Sequence, residues 1–99
     1  MPFERVVGLL VSDQETYARY RAAIAPLLEA AGAGFRFDLD VARTLKSPDA
    51  VEINRLFVLR FPDRAANDRF FADPRYLAIR TALFDPSVRH TEIIAEYSV

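Results

Sequence analysis

His90 is the single histidine in the sequence. Imidazole is the one side chain whose ordinary pKa lies near neutrality, so His90 is the first candidate for moving a proton. Arg55 is the second catalytic candidate. It alternates with Ile53, Phe57, Leu59 and Phe61 along an apolar run, and an arginine on such a face is costly to bury alone. Two arrangements satisfy it: an ion pair with an aspartate such as Asp38 or Asp40, or a ligand that its guanidinium polarises. Arg60 interrupts the opposite face of the same run, beside Leu56 and Val58, and a partner from the face carrying Arg36, Asp38 and Asp40 would satisfy it.

Tyr17 and Tyr20 share helical spacing with Ile24, which puts phenol groups where a pocket between helix and sheet would lie. With Arg55, Phe70, Phe71 and Tyr76 they make up the expected ligand-binding lining, mostly apolar with few polar anchors. Glu92 follows His90 at strand spacing, and Asp38 and Asp40 repeat that arrangement elsewhere. The two pairs belong to opposite sheet edges about 14 Å apart, so no metal site is expected within one subunit. Charges on edge strands serve chiefly to prevent aggregation. The glycines form no phosphate-binding loop, and no cofactor is expected.

The elements that position these residues follow from hydrophobic period. Val6 to Val11 is apolar at nearly every position, as a strand covered on both faces should be. Ser12-Asp13-Gln14-Glu15 reads as a capping box with Ser12 at the N-cap, starting a helix that carries Tyr17, Tyr20, Ile24, Leu27 and Leu28 and stops at Gly32. Pro26 predicts a kink near Ala22. From Phe35 the period becomes two, which predicts an edge strand with Phe35, Phe37, Leu39 and Val41 on one face and Arg36, Asp38 and Asp40 on the other. Lys46-Ser47-Pro48-Asp49 is a turn, and Ile53 to Phe61 is a second doubly apolar strand. Pro62-Asp63 and Asp73-Pro74 start two successive helical pieces, ended by Asp85-Pro86. A last edge strand runs from about Arg89 to Tyr97, with Thr91, Ile93, Ala95 and Tyr97 on one face and His90, Glu92, Ile94 and Glu96 on the other.

The order βαββαβ, with the first and third strands doubly apolar, predicts an α+β ferredoxin-like fold: an antiparallel four-stranded sheet with its helices on one face. All 99 residues are expected in one domain. The sheet face that the helices leave bare carries apolar side chains, and a second copy of the same sheet is the simplest cover, so a homodimer through that face is expected. With 13 Lys and Arg against 14 Asp and Glu, the net charge of −1 gives no pull toward nucleic acid or an anionic membrane. The absence of cysteine excludes disulfides and thiolate chemistry. Val6 to Val11 is far short of the roughly 20 residues of a membrane span, and the first residues lack signal-peptide character, so a cytoplasmic protein is expected.

The stretches Tyr17-x-x-Tyr20-Arg21, Pro26-Leu27-Leu28-Glu29, Asn54-Arg55-Leu56-Phe57, Phe61-Pro62-Asp63 and Phe70-Phe71-Ala72-Asp73-Pro74-x-Tyr76 resemble the domain-of-unknown-function-1330 family over essentially the whole chain. The resemblance implies the dimeric α/β-barrel superfamily, whose members include cofactor-free monooxygenases, haem-degrading enzymes, isomerases and ligand-sensing domains. It implies a fold and a dimer, and it carries no catalytic residue set. The expected function is a homodimeric module that binds a small ligand without catalysis. The alternative is a cofactor-independent enzyme, monooxygenase- or isomerase-like, acting on a small aromatic or polyketide-like molecule through Arg55, His90 or a tyrosine.

Overall fold

A computed structural model describes residues 1–99. Strand β1 (Phe3–Val11) leads into helix α1 (Gln14–Ala30), β2 (Gly34–Asp40), a long loop, β3 (Arg55–Phe61), the helices α2 (Arg64–Ala72) and α3 (Pro74–Ile79), a π-helical turn (Arg80–Phe84) and β4 (Val88–Ser98). The sheet order is β2-β3-β1-β4, and every neighbouring pair is antiparallel. The architecture is the α+β ferredoxin-like one that the element order predicts. Val7, Leu9 and Val11 from β1 and Phe57, Leu59 and Phe61 from β3 meet Tyr17, Tyr20, Ile24 and Leu28 of α1 in one core with Ala66, Phe70 and Tyr76. Val6, Gly8, Leu10, Leu56 and Val58 take the alternate positions and turn to the helix-free face, which explains why both central strands are apolar throughout.

Helix starts depend on where a carboxylate can reach. Asp13 caps α1, accepting hydrogen bonds from the Thr16 amide (3.0 Å) and hydroxyl (2.7 Å). The expected cap Ser12 instead ties the chain to the residue just before β4: its amide donates to the Ser87 carbonyl at 2.8 Å. A carboxylate one residue later outcompetes the hydroxyl because it bonds two donors at once. Helix α1 continues through Pro26 and ends where Gly32, at φ +69°, lets its own amide reach Glu29 and that of Ala33 reach Leu28. Asp63 and Asp73 cap α2 and α3 as expected.

Both edge strands depart from simple alternation, for one reason. A bulge at Arg36 shifts β2, so that Phe35 and Asp38 face the helices while Phe37 and Leu39 lie opposite Val58 and Leu56 on the helix-free face. A second bulge, near Ile94, divides β4: Thr91 and Ile93 pair with Leu9 and Val7 on the helix side, whereas Ala95 and Tyr97 pair with Val6 and Glu4 on the bare side. One extra residue inverts every position beyond it. The start of β3 also differs from expectation. Asn54 bonds the amide and carbonyl of Val11 with its side chain (2.8 and 2.9 Å), and strand pairing begins at Arg55. Ile53 folds onto the bare face, where a Cβ on Gly8 would come within 3.0 Å of it.

Candidate functional site

The π-helical turn determines where the cavity lies. Its Asp85 amide reaches back five residues to the Arg80 carbonyl at 2.9 Å. Such single wide turns are common at functional sites. Beneath it, between β1, β3 and β4 on one side and α1 and α3 on the other, opens a cavity of about 410 Å³. Nine of its twelve lining residues are hydrophobic, and the polar ones are Arg5, Arg80 and Thr91. The Tyr20 and Tyr76 hydroxyls meet in its wall at 3.0 Å, and the Tyr20 ring lies 5.0 Å from that of Phe84. Burial pushes both phenols above their ordinary pKa. They are therefore neutral hydrogen-bonding groups at physiological pH.

Arg5 projects from a central strand toward this cavity. Its guanidinium carbon lies 4.6 Å from the centre of the Phe71 ring, its Nη2 is 3.7 Å from a Glu96 oxygen, and its buried Nε–H has no acceptor. Arg80 is held as loosely, 3.7 Å from Asp85.

Of the residues singled out from sequence, Tyr20 and Tyr76 line the cavity together. Phe70 stands behind it, packed on Phe61, Phe71 and Tyr76. Tyr17 stacks on Tyr20 at 5.7 Å, while its hydroxyl accepts a bond from Arg21 at 3.0 Å. Arg55 lies away from the cavity and forks onto Asp38 with two bonds of 2.9 Å. Arg21 holds the same carboxylate at 2.7 Å and stacks 3.6 Å over Phe35. His90 lies on the bare face, 3.0 Å from Glu92. No three His, Asp or Glu side chains converge as a metal site would require.

The bare face holds a cluster that sequence reading did not find. Glu4 is fully buried there and accepts from the Tyr97 hydroxyl at 2.7 Å and from Arg36 at 3.1 Å, with Arg60 at 3.8 Å. The Tyr97 hydrogen bond, aided by the two arginines, holds the Glu4 carboxyl below its ordinary pKa. Arg60 thus finds a glutamate on the neighbouring central strand, because the β2 bulge sends Asp38 to the other side.

Asp38 offers a test of the helix-side ion cluster. The fork from Arg55, with the bonds from Arg21, lowers its pKa below the ordinary 3.8. A depressed folded-state pKa contributes stability that is present above about pH 4 and lost as pH falls through the lower folded value. Asp38→Asn is expected to cost about 1 kcal/mol at neutral pH, discounted for partial exposure, and to flatten the acid limb of a urea-monitored stability profile. An unchanged limb would show that the cluster contributes nothing.

A family model described as Domain of unknown function (DUF1330) matches residues 6–97. The chain belongs to this family. No curated protein matches the DUF1330 chain in sequence. Among solved structures, a protein of unknown function from Rhodopseudomonas palustris superposes with a TM-score of 0.82 at 18% identity, covering 99% of this chain and 82% of that one. A Dabb family protein with a ferredoxin-like fold from Mesorhizobium loti gives 0.69 at 21% identity, over 99% and 96% of the two chains. A protein from Jannaschia, described as a dimeric ferredoxin-like protein of unknown function, gives 0.69 at 15% identity over the whole of both. At these identities the likeness establishes the fold of the DUF1330 chain alone. No helix of the chain is long and apolar enough to cross a membrane.

Proposed function

We propose that this DUF1330 chain acts as one domain, pairs with a second copy through the bare faces of the two sheets, and holds a small, largely apolar molecule in the cavity under the Arg80–Phe84 turn. The observation that carries the ligand reading is the cavity itself: about 410 Å³, chiefly hydrophobic, with two loosely held arginines and a threonine as its polar anchors. Small-molecule sites are built this way, from about 300 Å³ upward. The reading is one of binding rather than catalysis. Burial keeps the two tyrosines of the lining protonated, and the lining holds no histidine or carboxylate to act as a base at neutral pH.

Pairing is supported by the bare face. Phe37, Leu39 and Ile94 are 52%, 49% and 50% exposed on strands whose other face packs a core, and contiguous exposed apolar surface of this kind marks an interface. The Jannaschia relative of the same fold is described as dimeric.

A thermal-shift screen of small aromatic compounds tests the cavity. A binder is expected to raise Tm in proportion to the logarithm of its concentration over its Kd. Thr91 lies exposed at the cavity, so Thr91→Phe is expected to fill it without unfolding the protein and to abolish the shift. A shift that survives Thr91→Phe places the binding elsewhere.

A further inference from the structure

We propose that the ligand is a small aromatic or otherwise apolar monocarboxylate whose carboxylate forks onto Arg5. This rests on the ligand-binding reading above and narrows it to one chemical class. Four other arginines show what a committed guanidinium looks like here. Arg21 and Arg55 bind Asp38 at 2.7 and 2.9 Å, Arg36 binds Glu4 at 3.1 Å, and Arg75 binds Asp73 at 2.8 Å. Arg60 and Arg80 stand 3.8 and 3.7 Å from their acids, and among the loosely held arginines Arg5 alone has a buried donor without a partner. Its nearest carboxylate, Glu96, stands at 3.7 Å, beyond hydrogen-bond reach, and its Nε–H is buried with no acceptor at all.

A guanidinium presents parallel N–H donors along one edge of a rigid plane, and a carboxylate matches that edge with two oxygens. The Nε–H is sealed from solvent where it stands, so the guanidinium must turn off Phe71 to present this edge; a ligand carboxylate then satisfies the Nε–H and relieves the cost of leaving it unpaired. The rest of the cavity determines the other end of the ligand. Phe71, Phe84, Val7 and Leu59 offer apolar surface, and the two phenols are already bonded to each other. That surface suits an aromatic or aliphatic body rather than a sugar. Arg80, near Phe84 and only loosely paired, adds positive potential for a single anionic head. A volume of about 410 Å³ suits a body of one or two rings.

The test is an amide-resolved NMR titration of the full chain with phenylacetate and, separately, phenylacetamide at constant ionic strength. Both probes are expected to shift the Thr91 and Ile93 amides, with the acid binding about tenfold or more tightly than the amide. Arg5→Met is expected to remove that preference and bring the affinities of the two probes together. Glu96→Gln, which removes the competing carboxylate, is expected to tighten phenylacetate binding. Equal affinities for the two probes, or a preference that survives in folded Arg5→Met, would overturn the carboxylate assignment while leaving the cavity as a binding site. If neither probe moves Thr91 and Ile93, the ligand-binding reading fails and this inference fails with it. Should Arg5→Met not fold, the Glu96→Gln arm decides: unchanged or weaker phenylacetate binding overturns the assignment.

Discussion

Leu39→Arg is expected to leave the fold intact and convert the proposed dimer to a monomer. Leu39 is 49% exposed on the bare face of β2, opposite Leu56, so an arginine head there reaches water in an isolated subunit. Between two face-to-face sheets the same head meets apolar side chains, and twofold symmetry places the substitution in the interface twice. Each copy would bury a charged head without a partner at a cost of at least about 1.4 kcal/mol, so an association constant at least about 100-fold weaker is expected for the two together. Size-exclusion chromatography with light scattering at micromolar concentration reads the result, and far-UV circular dichroism confirms the fold. Ala22→Arg, exposed on the outer side of α1, is the control and should stay dimeric. A Leu39→Arg protein that remains a dimer would mean the bare sheet face is not where the copies meet.

The second large effect concerns the tyrosine pair. Tyr20 and Tyr76 are nearly fully buried, and their hydroxyls bond each other at 3.0 Å. Tyr20→Phe leaves the Tyr76 hydroxyl without its partner in apolar surroundings, a cost of about 1–2 kcal/mol, or about 5–10 °C in Tm for a chain of this size. The double variant Tyr20→Phe/Tyr76→Phe removes both polar groups and is expected to lose less than the sum of the single losses, with a coupling of about 1 kcal/mol. Simple additivity would show that the two hydroxyls do not depend on each other. The pH dependence follows the same logic. Both phenols have folded-state pKa values raised above the ordinary 10.0 by burial, so their contribution is complete below about pH 10 and is lost as pH rises beyond it. The double phenylalanine variant should therefore unfold later in alkali than the wild type.

The sequence carries the fold more clearly than it carries the site. β1 and β3 are apolar at nearly every position, which identifies them as central strands, and the acidic caps at Asp63 and Asp73 are local signals that survive folding unchanged. The faces of the edge strands were not legible. A bulge at Arg36 or near Ile94 is settled by pairing with the neighbouring strand, and the strict alternation of Phe35, Phe37 and Leu39 gives no sign of it. That one shift carries Asp38 to the helix side, where Arg55 and Arg21 meet it, and leaves Arg36 and Arg60 to share Glu4.

Arg5 carries a signal of its own in the sequence. It alternates with Phe3, Val7 and Leu9 on the core side of a central strand, the same pattern that drew attention to Arg55. The two differ in what the fold brings near them. Arg55 receives an aspartate from β2, whereas Arg5 faces Phe71 and a distant Glu96 at the edge of the cavity. Arg80 and Phe84 could not be placed from sequence, because the wide turn that aims them arises from the five-residue closure before Asp85-Pro86.

On the proposed reading, the helix side of the sheet holds a ligand while the bare side meets a second copy of the chain. A crystal structure of the protein grown with phenylacetate tests both parts at once. The expected electron density shows the aromatic ring between Phe84 and Phe71 beneath the Arg80–Phe84 turn, the carboxylate on Arg5, and two sheets stacked through Phe37, Leu39 and Ile94. A probe seated between the sheets, or a cavity closed by its own side chains with the bare faces left in solvent, would contradict it.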